Sequence, residues 1–190
     1  MLEALSYPVF RRIWGASLFS NFGQLIQSVG AAWAMTELTG KAAMVALVQT
    51  ATFLPMMLFA LYAGAIADTY DRRKVAMVAI AIALISAAAM TVTAWAGLLR
   101  PNLILVFTFF IGTGIALFGP SWQASVSEQV PSTSVPAAIS LNSISYNIAR
   151  SFGPAIGGLI VAAAGAAAAF FINAVFFLPM LIVLFLWKRV

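Results

Sequence analysis

Gly64-Ala65-Ile66-Ala67-Asp68-Thr69-Tyr70-Asp71-Arg72-Arg73-Lys74 is the stretch on which the fold turns. An apolar run ends here on a small residue, an acid follows, and a basic segment leads back into apolar sequence within the seven residues from Asp68 to Lys74. Such a hairpin between two apolar runs is a loop at a membrane surface. Gly64 leaves room for another helix to approach. Asp68 can accept hydrogen bonds from a helix N-terminus or pair with the arginines. Arg72, Arg73 and Lys74 anchor topology. Breaking the contacts of Gly64, Asp68, Arg72 and Arg73 would open this side, so these four are the candidate cytoplasmic gate.

Working outward, the flanking sequence is too apolar for a water-soluble shell. Of 190 residues, 63% are hydrophobic and 8% charged, against roughly 25% charged in a soluble domain. A helix needs about 20 apolar residues to cross the hydrocarbon core. Windows that satisfy this lie near 13–35, 44–67, 75–97, 102–122, 137–163 and 166–187. The fold class expected is therefore all-α membrane, with six transmembrane helices in a single bundle over 1–190. Between the windows stand polar or turn residues, the weakest break being at Gly165. The polar, aromatic start and the long apolar run after it predict a first membrane anchor rather than a cleaved signal peptide.

Charge then orients the chain. Alternate loops place Arg11, Arg12, Arg72, Arg73, Lys74, Lys188 and Arg189 on one side, and Lys41 and Arg100 on the other. Seven against two predicts both termini in the cytoplasm. This distribution also explains the net charge of +5 without nucleic acid as a partner. Trp14, Trp33, Trp95, Trp122 and Trp187 fall at window ends, as expected of indoles in the headgroup layer.

With no cysteine and no histidine, disulfides, thiolate or imidazole metal sites and the commonest general base are excluded. The five acids, Glu3, Glu37, Asp68, Asp71 and Glu128, all lie outside the long apolar runs. No metal, no cofactor and no enzymatic chemistry are expected.

Polar residues inside the windows are few and fall on stripes. Ser17, Asn21, Gln24 and Ser28 share one helical face, Gln27 lies beside it, and Gln49 and Thr52 come from the second window. In the fifth, Asn142, Tyr146, Arg150, Gly153 and Gly157 share another. An arginine near a helix centre costs about 2.5–3.5 kcal/mol on insertion scales, so Arg150 should face the interior, a solute or a carboxylate on a partner segment. Asn21, Gln24, Gln49, Asn142, Tyr146 and Arg150 are the candidate substrate-binding residues. The bland alternative is interhelical glue. Pro154 should bend the fifth helix, and Gly153 and Gly157 form a small-xxx-small face. With Gly158 these make the candidate packing and hinge segment.

The stretch 64–74 resembles the signature loop of the major facilitator superfamily, Gly-x-x-x-Asp-Arg-x-Gly-Arg-Arg/Lys. Gly64, Asp68, Arg72 and Arg73 match, whereas Thr69 stands where a basic residue is usual and Asp71 replaces the second glycine. The run from Gly153 to Gly158 is similar to the end of the fifth-helix motif of drug:proton antiporters, with Asn142 and Ala149 at its upstream glycine positions. The fourth window, Ile111-Gly112-Thr113-Gly114 through Pro120, looks like the family without its frequent membrane arginine. Asp71-Arg72-Arg73, Pro120 and 142–158 look most like the enterobactin-exporter-like, drug-efflux branch.

A faint repeat at an offset of 99 pairs Gly15, Leu18 and Phe19 with Gly114, Leu117 and Phe118, and Phe53 and Pro55 with Phe152 and Pro154. It fits two inverted three-helix repeats.

The resemblance implies the N-terminal half of a secondary active exporter of siderophore- or drug-like small molecules, placed in the bacterial plasma membrane and working by alternating access. An ion gradient would drive it, because no GxxxxGK[ST] loop is present. Its partners would be the bilayer, the solute, and a C-terminal six-helix half or a second copy. The chain stops where a first half would end, as a fragment, a truncated product or a natural half. The competing reading is a non-transporting membrane subunit, or a half-transporter active only when paired.

Overall fold

Pro8 opens α1 (Pro8–Thr39), where its missing N–H costs no hydrogen bond. Gly40 closes that helix in the left-handed region (φ 61), its N–H bonded to the Thr36 carbonyl. The computed structural model describes residues 2–187, and α2 (Ala42–Thr69), α3 (Arg72–Trp95), α4 (Pro101–Ser125) and α5 (Val135–Leu186) follow in it. Lys188 and Arg189, which enter the charge count, lie outside the described residues. Asp71 caps α3 by accepting a hydrogen bond from the Lys74 N–H at 3.0 Å, and Pro101 opens α4. Among the described residues every regular element is helical.

Four stretches are long and apolar enough to cross a membrane: Ala42–Thr69, Arg72–Trp95, Pro101–Glu128 and Ser132–Leu186. The expected first span, 13–35, lies inside α1 but is not among them. Ser17, Ser20, Asn21, Gln24, Gln27 and Ser28 dilute its apolarity. The fifth and sixth windows form one stretch of 55 residues. Straight, it would run to about 80 Å, against a hydrocarbon core of about 30 Å. It is broken at Gly165, whose φ of 77° and ψ of 172° lie in a region open essentially to glycine alone. Pro154 does not break the helix; the break falls at Gly165.

Contacts with α1 show that the chain reverses there. Along the first arm of α5 the numbers rise together: Trp14 donates to the Leu141 carbonyl at 2.9 Å, Asn21 to Ser145 at 3.2 Å, and Gly153 and Gly157 pack on Leu25 and Ile26. Along the second arm they run oppositely. Ser20 donates to the Phe176 carbonyl, Gly23 abuts Asn173 and Gly30 abuts Ala169. α3 is antiparallel to this second arm, with Arg73 at the Leu184 carbonyl and Trp95 against Phe171.

Small residues set how closely the helices approach. On α3, Ala76, Ala79, Ala83 and Ala87 form one buried face. A Cβ on Gly114 would stand 2.5 Å from the Ala79 carbonyl oxygen, and one on Gly112 would stand 2.5 Å from that of Thr52. In hydrocarbon, such backbone-to-backbone packing takes over from the hydrophobic effect.

The tryptophans divide. Trp33 and Trp95 are exposed, as an interfacial belt requires. Trp122 and Trp187 are buried, and Trp14 spends its N–H on Leu141. The belt expectation is thus corrected for these three. At that end of the bundle the segment after α4 and the start of α5 cover the helix ends, Val126, Val130 and Ala138 packing on Phe10.

Gly114→Ala should lower the thermal midpoint of the detergent-solubilised protein, since overpacking a close contact costs about 1–3 kcal/mol. Gly15→Ala, with nothing within 4 Å of the added carbon, should leave it unchanged or slightly raised. Equal midpoints for the two variants would refute the close α3–α4 crossing.

Candidate solute-binding cavity

The polar stripe of α1 opens onto a cavity of about 710 Å³, walled by α1, α4 and the first arm of α5. Asn21 and Gln24 line it from α1, Gln123 and Trp122 from α4, and Asn142, Ser143, Tyr146 and Asn147 from α5. Ile80, Ile115, Phe118 and Met180 supply an apolar lining, and Phe118 stacks on Trp122 at 5.9 Å between ring centroids. Amide and hydroxyl groups set in an apolar wall are the usual composition of a small-molecule site. A second cavity of about 140 Å³ meets the first at Gln24, Met56, Ile115 and Tyr146. Gln27, Ser28, Thr52, Thr108 and Asn173 line this smaller chamber. Neither chamber has a charged residue in its lining.

Of the six candidate binding residues, Asn21, Gln24, Asn142 and Tyr146 come together at these cavities. Gln49 is exposed on α2 and reaches Ser28 at 3.5 Å, but lines neither cavity. Arg150 is exposed, lines neither, and makes no hydrogen bond or ion pair among the described residues.

Gln27, placed beside the α1 stripe but not among the candidate binding residues, and Asn173, which sequence reasoning passed over, form the most buried contact between two side chains in the bundle. Asn173 Nδ2 donates to Gln27 Oε1, and Gln27 Nε2 reaches the Met90 sulfur at 3.5 Å. Asn173 is 0% exposed and Gln27 4%. A signal was available: Asn173 is the lone polar side chain in 166–186.

The gate residues separate into two pairs. Arg72 Nη1 donates to Glu128 Oε1 at 3.0 Å and to the Ala124 carbonyl at 3.1 Å, fastening α3 to the end of α4. Arg73 donates from Nε to the Leu184 carbonyl at 2.7 Å and from Nη2 to that of Phe185 at 2.6 Å. Both guanidiniums sit at helix C-termini, where the macrodipole favours a cation. Asp68 is exposed and has no hydrogen bond among the described residues, so the arginines take partners other than the expected acid. Gly64 likewise has nothing within 4 Å of where a Cβ would be.

In the hinge segment, Gly153 and Gly157 are the close-contact glycines, against Leu25 of α1 and against Ile26 and Val29 of α1 respectively. Gly158 has no neighbour within 4 Å of an added Cβ, and Pro154 is exposed.

A helical bundle of this apolarity, with an uncharged amide-lined cavity, defines a multi-pass membrane protein. Over residues 1–190 the sequence matches the family described as Transmembrane secretion effector, and the chain belongs to that family of major facilitator transporters. The multidrug efflux pump Tap of Mycobacterium tuberculosis is 30% identical over 168 residues, which are 85% of this chain and 40% of that protein. The staphyloferrin A transporter of Staphylococcus aureus is 28% identical over 173 residues, 90% and 44% of the two chains. Macrolide efflux protein A of Streptococcus pyogenes is 26% identical over 155 residues, 80% and 37%. The chain spans less than half the length of these curated relatives.

Asn173→Ala removes the donor to buried Gln27 Oε1 and should destabilise the bundle by about 1–3 kcal/mol. Gln24→Ala, at the cavity surface, should stay within about 0.5 kcal/mol of the parent. Thermal unfolding in detergent, followed by tryptophan fluorescence, measures both; a reversed order would contradict the buried amide pair.

Proposed function

We infer that this chain is a cavity-bearing half of an exporter of small molecules that works by alternating access. The carrying observation is the uncharged cavity of about 710 Å³ between α1, α4 and the first arm of α5, lined by Asn21, Gln24, Asn142 and Tyr146. The multidrug and macrolide efflux proteins among its relatives support export as the direction.

In this reading the chain crosses the membrane six times, as α1 to α4 and the two arms of α5, in two inverted three-helix repeats. The repeat offset of 99 carries α1 onto α4, α2 onto the first arm and α3 onto the second. Both termini lie in the cytoplasm. Arg11, Arg12, Arg72, Arg73 and Lys74 then line the cytoplasmic rim and Arg100 and Lys41 the far rim, in keeping with the positive-inside rule. The faces of α2 and of the first arm, with Met57 80%, Leu61 88% and Leu159 72% exposed, are left for lipid and for a second six-helix unit or a second copy. Gly64 and Asp68 form the part of the gate that works against that unit, Arg72 and Arg73 the part that holds this bundle together, and 153–158 the segment that bends. Arg150 faces the partner or its solute.

Reconstituted alone as a monomer, the chain should bind solute without moving it. Co-reconstituted with a second six-helix unit, it should export ethidium or a macrolide. Tyr146→Ala should then slow export several-fold, as expected for one cavity contact worth about 1 kcal/mol. Asp68→Asn should slow turnover at unchanged expression. Flux from a proven monomer, or parallel loss of expression and activity in Asp68→Asn, would count against this assignment.

A further inference from the structure

The bundle leaves one cation unused at the depth where a charge is hardest to keep. Between Val135 and the break at Gly165, Arg150 is the middle residue of the first arm of α5. At 1.5 Å per residue it stands about 22 Å from either end. The contacts of the arm with α1 agree. Asn21 bonds to Ser145 and Leu25 meets Gly153, so Arg150 is level with the middle of α1 (Pro8–Thr39).

An arginine near the end of a span can snorkel to the headgroups, whereas one at mid-span is too deep to do so. Arg150 is nevertheless exposed, lines neither cavity, and makes no hydrogen bond or ion pair among the described residues. Around it on the arm, Asn147 and Ser151 alternate with Ile148 and Phe152, all four exposed. A face of this kind, apolar with a polar row along it, suits cover by another helix that brings a counter-charge at the same depth.

The chain itself has no acid at that depth. Glu3 precedes α1, Glu37 is in its last turn, Asp68 is in the last turn of α2, Asp71 caps α3 and Glu128 follows α4. Glu37 lies about 20 Å along α1 from its middle. A second copy fares no better. Inserted either way up, it keeps its acids at the rims and brings its own Arg150 to the midplane, so two copies sharing this face oppose like charges. A neutral amide would solvate the guanidinium without neutralising it. A carboxylate does both, through two parallel N–H···O bonds.

We propose that the face around Arg150 docks a membrane-spanning helix of a unit different in sequence from this one, and that this helix carries an aspartate or glutamate at the bilayer midplane. This rests on the first arm crossing the membrane, as inferred above. It excludes a second copy as the unit that covers this face.

The test places the 190-residue chain in phosphatidylcholine vesicles with synthetic leucine–alanine helices of about 24 residues. A dansyl group on each helix accepts energy from the protein's tryptophans and so reports association. The helices differ in one residue: aspartate, asparagine or leucine at the centre, or aspartate about six residues from one end. The centre-aspartate helix should associate at least about fivefold more tightly than the leucine helix, and more tightly than the other two. Arg150→Leu removes no hydrogen bond of the bundle and should fold with an unchanged or higher thermal midpoint, yet bind all four helices alike. Arg150→Lys keeps the charge without the fork and should retain part of the preference. Because the chain has no cysteine, Leu98→Cys copies carry donor and acceptor dyes on one thiol, and these copies should not pair. No preference for the centre aspartate, a preference that survives in Arg150→Leu, or self-pairing as strong as capture of that helix would each overturn the proposal. Those results would leave Arg150 to an anionic group of the solute and the export reading intact. Arg150→Cys reacting with a membrane-impermeant maleimide as fast as Arg12→Cys would put the arm outside the bilayer and overturn both.

Discussion

Hydrocarbon offers polar groups no partner, and the place of α1 in this bundle follows from the polarity it must hide. α1 has the heaviest load and takes the position with most neighbours, between both arms of α5. Trp14, Ser20, Asn21 and Gln27 all find partners there. α2 is the opposite case. Its Thr50 and Thr52 are satisfied by carbonyls of their own helix, and Met57 and Leu61 are left almost fully exposed. In α1 the polar stripe is turned inward, the reverse of a surface helix in a water-soluble domain.

Satisfying so many groups requires helices that approach closely, and here the glycines and alanines enter. Gly23 and Gly30 let the second arm of α5 press on α1, bringing Asn173 within reach of Gln27. Gly114 does the same for α4 against α3. Gly119, one residue before Pro120, has open space beside it and lies on the cavity wall instead. The cavity is thus the remainder of the packing. It occurs where α1, α4 and the first arm carry amides rather than small residues, and where those amides outnumber the partners available to them. Thr108, Asn142 and Asn173 each keep a buried oxygen with no partner for the same reason.

Much of this was legible in the sequence, because a polar residue in an apolar run has few places to go. The α1 stripe, the cavity role of Asn142 and Tyr146, the contact made by Gly153 and Gly157, and a break near Gly165 could all be read directly. Arg150 shows where spacing misleads. A strict spacing of four drifts about 40° around the helix at each step, so Arg150 lies about 80° from Asn142. By that height the face of the arm turned to α1 is occupied by Ala149 and Gly153, both buried, and Arg150 has left the cavity wall. Asn173 failed to register for another reason. A lone polar residue makes no pattern, and its meaning depends on Gln27, distant by 146 positions.

The loop that opened the sequence reading separates into two parts by the same physics. Arg72 and Arg73 are used up inside the bundle: one closes on Glu128 and the end of α4, the other on the last carbonyls of α5. Each joins a cation to a helix C-terminus, so both charge–dipole and hydrogen-bond terms favour the closed contact. Gly64 and Asp68 lie about two turns and one turn earlier on the neighbouring helix, the first with open space where a Cβ would be and the second without a hydrogen bond among the described residues. A small residue that makes no close contact and an acid that accepts no hydrogen bond contribute little to the stability of these helices. The two halves of the motif thus differ in kind: the arginines hold the bundle together, whereas Gly64 and Asp68 take no part in its close packing or its hydrogen bonding.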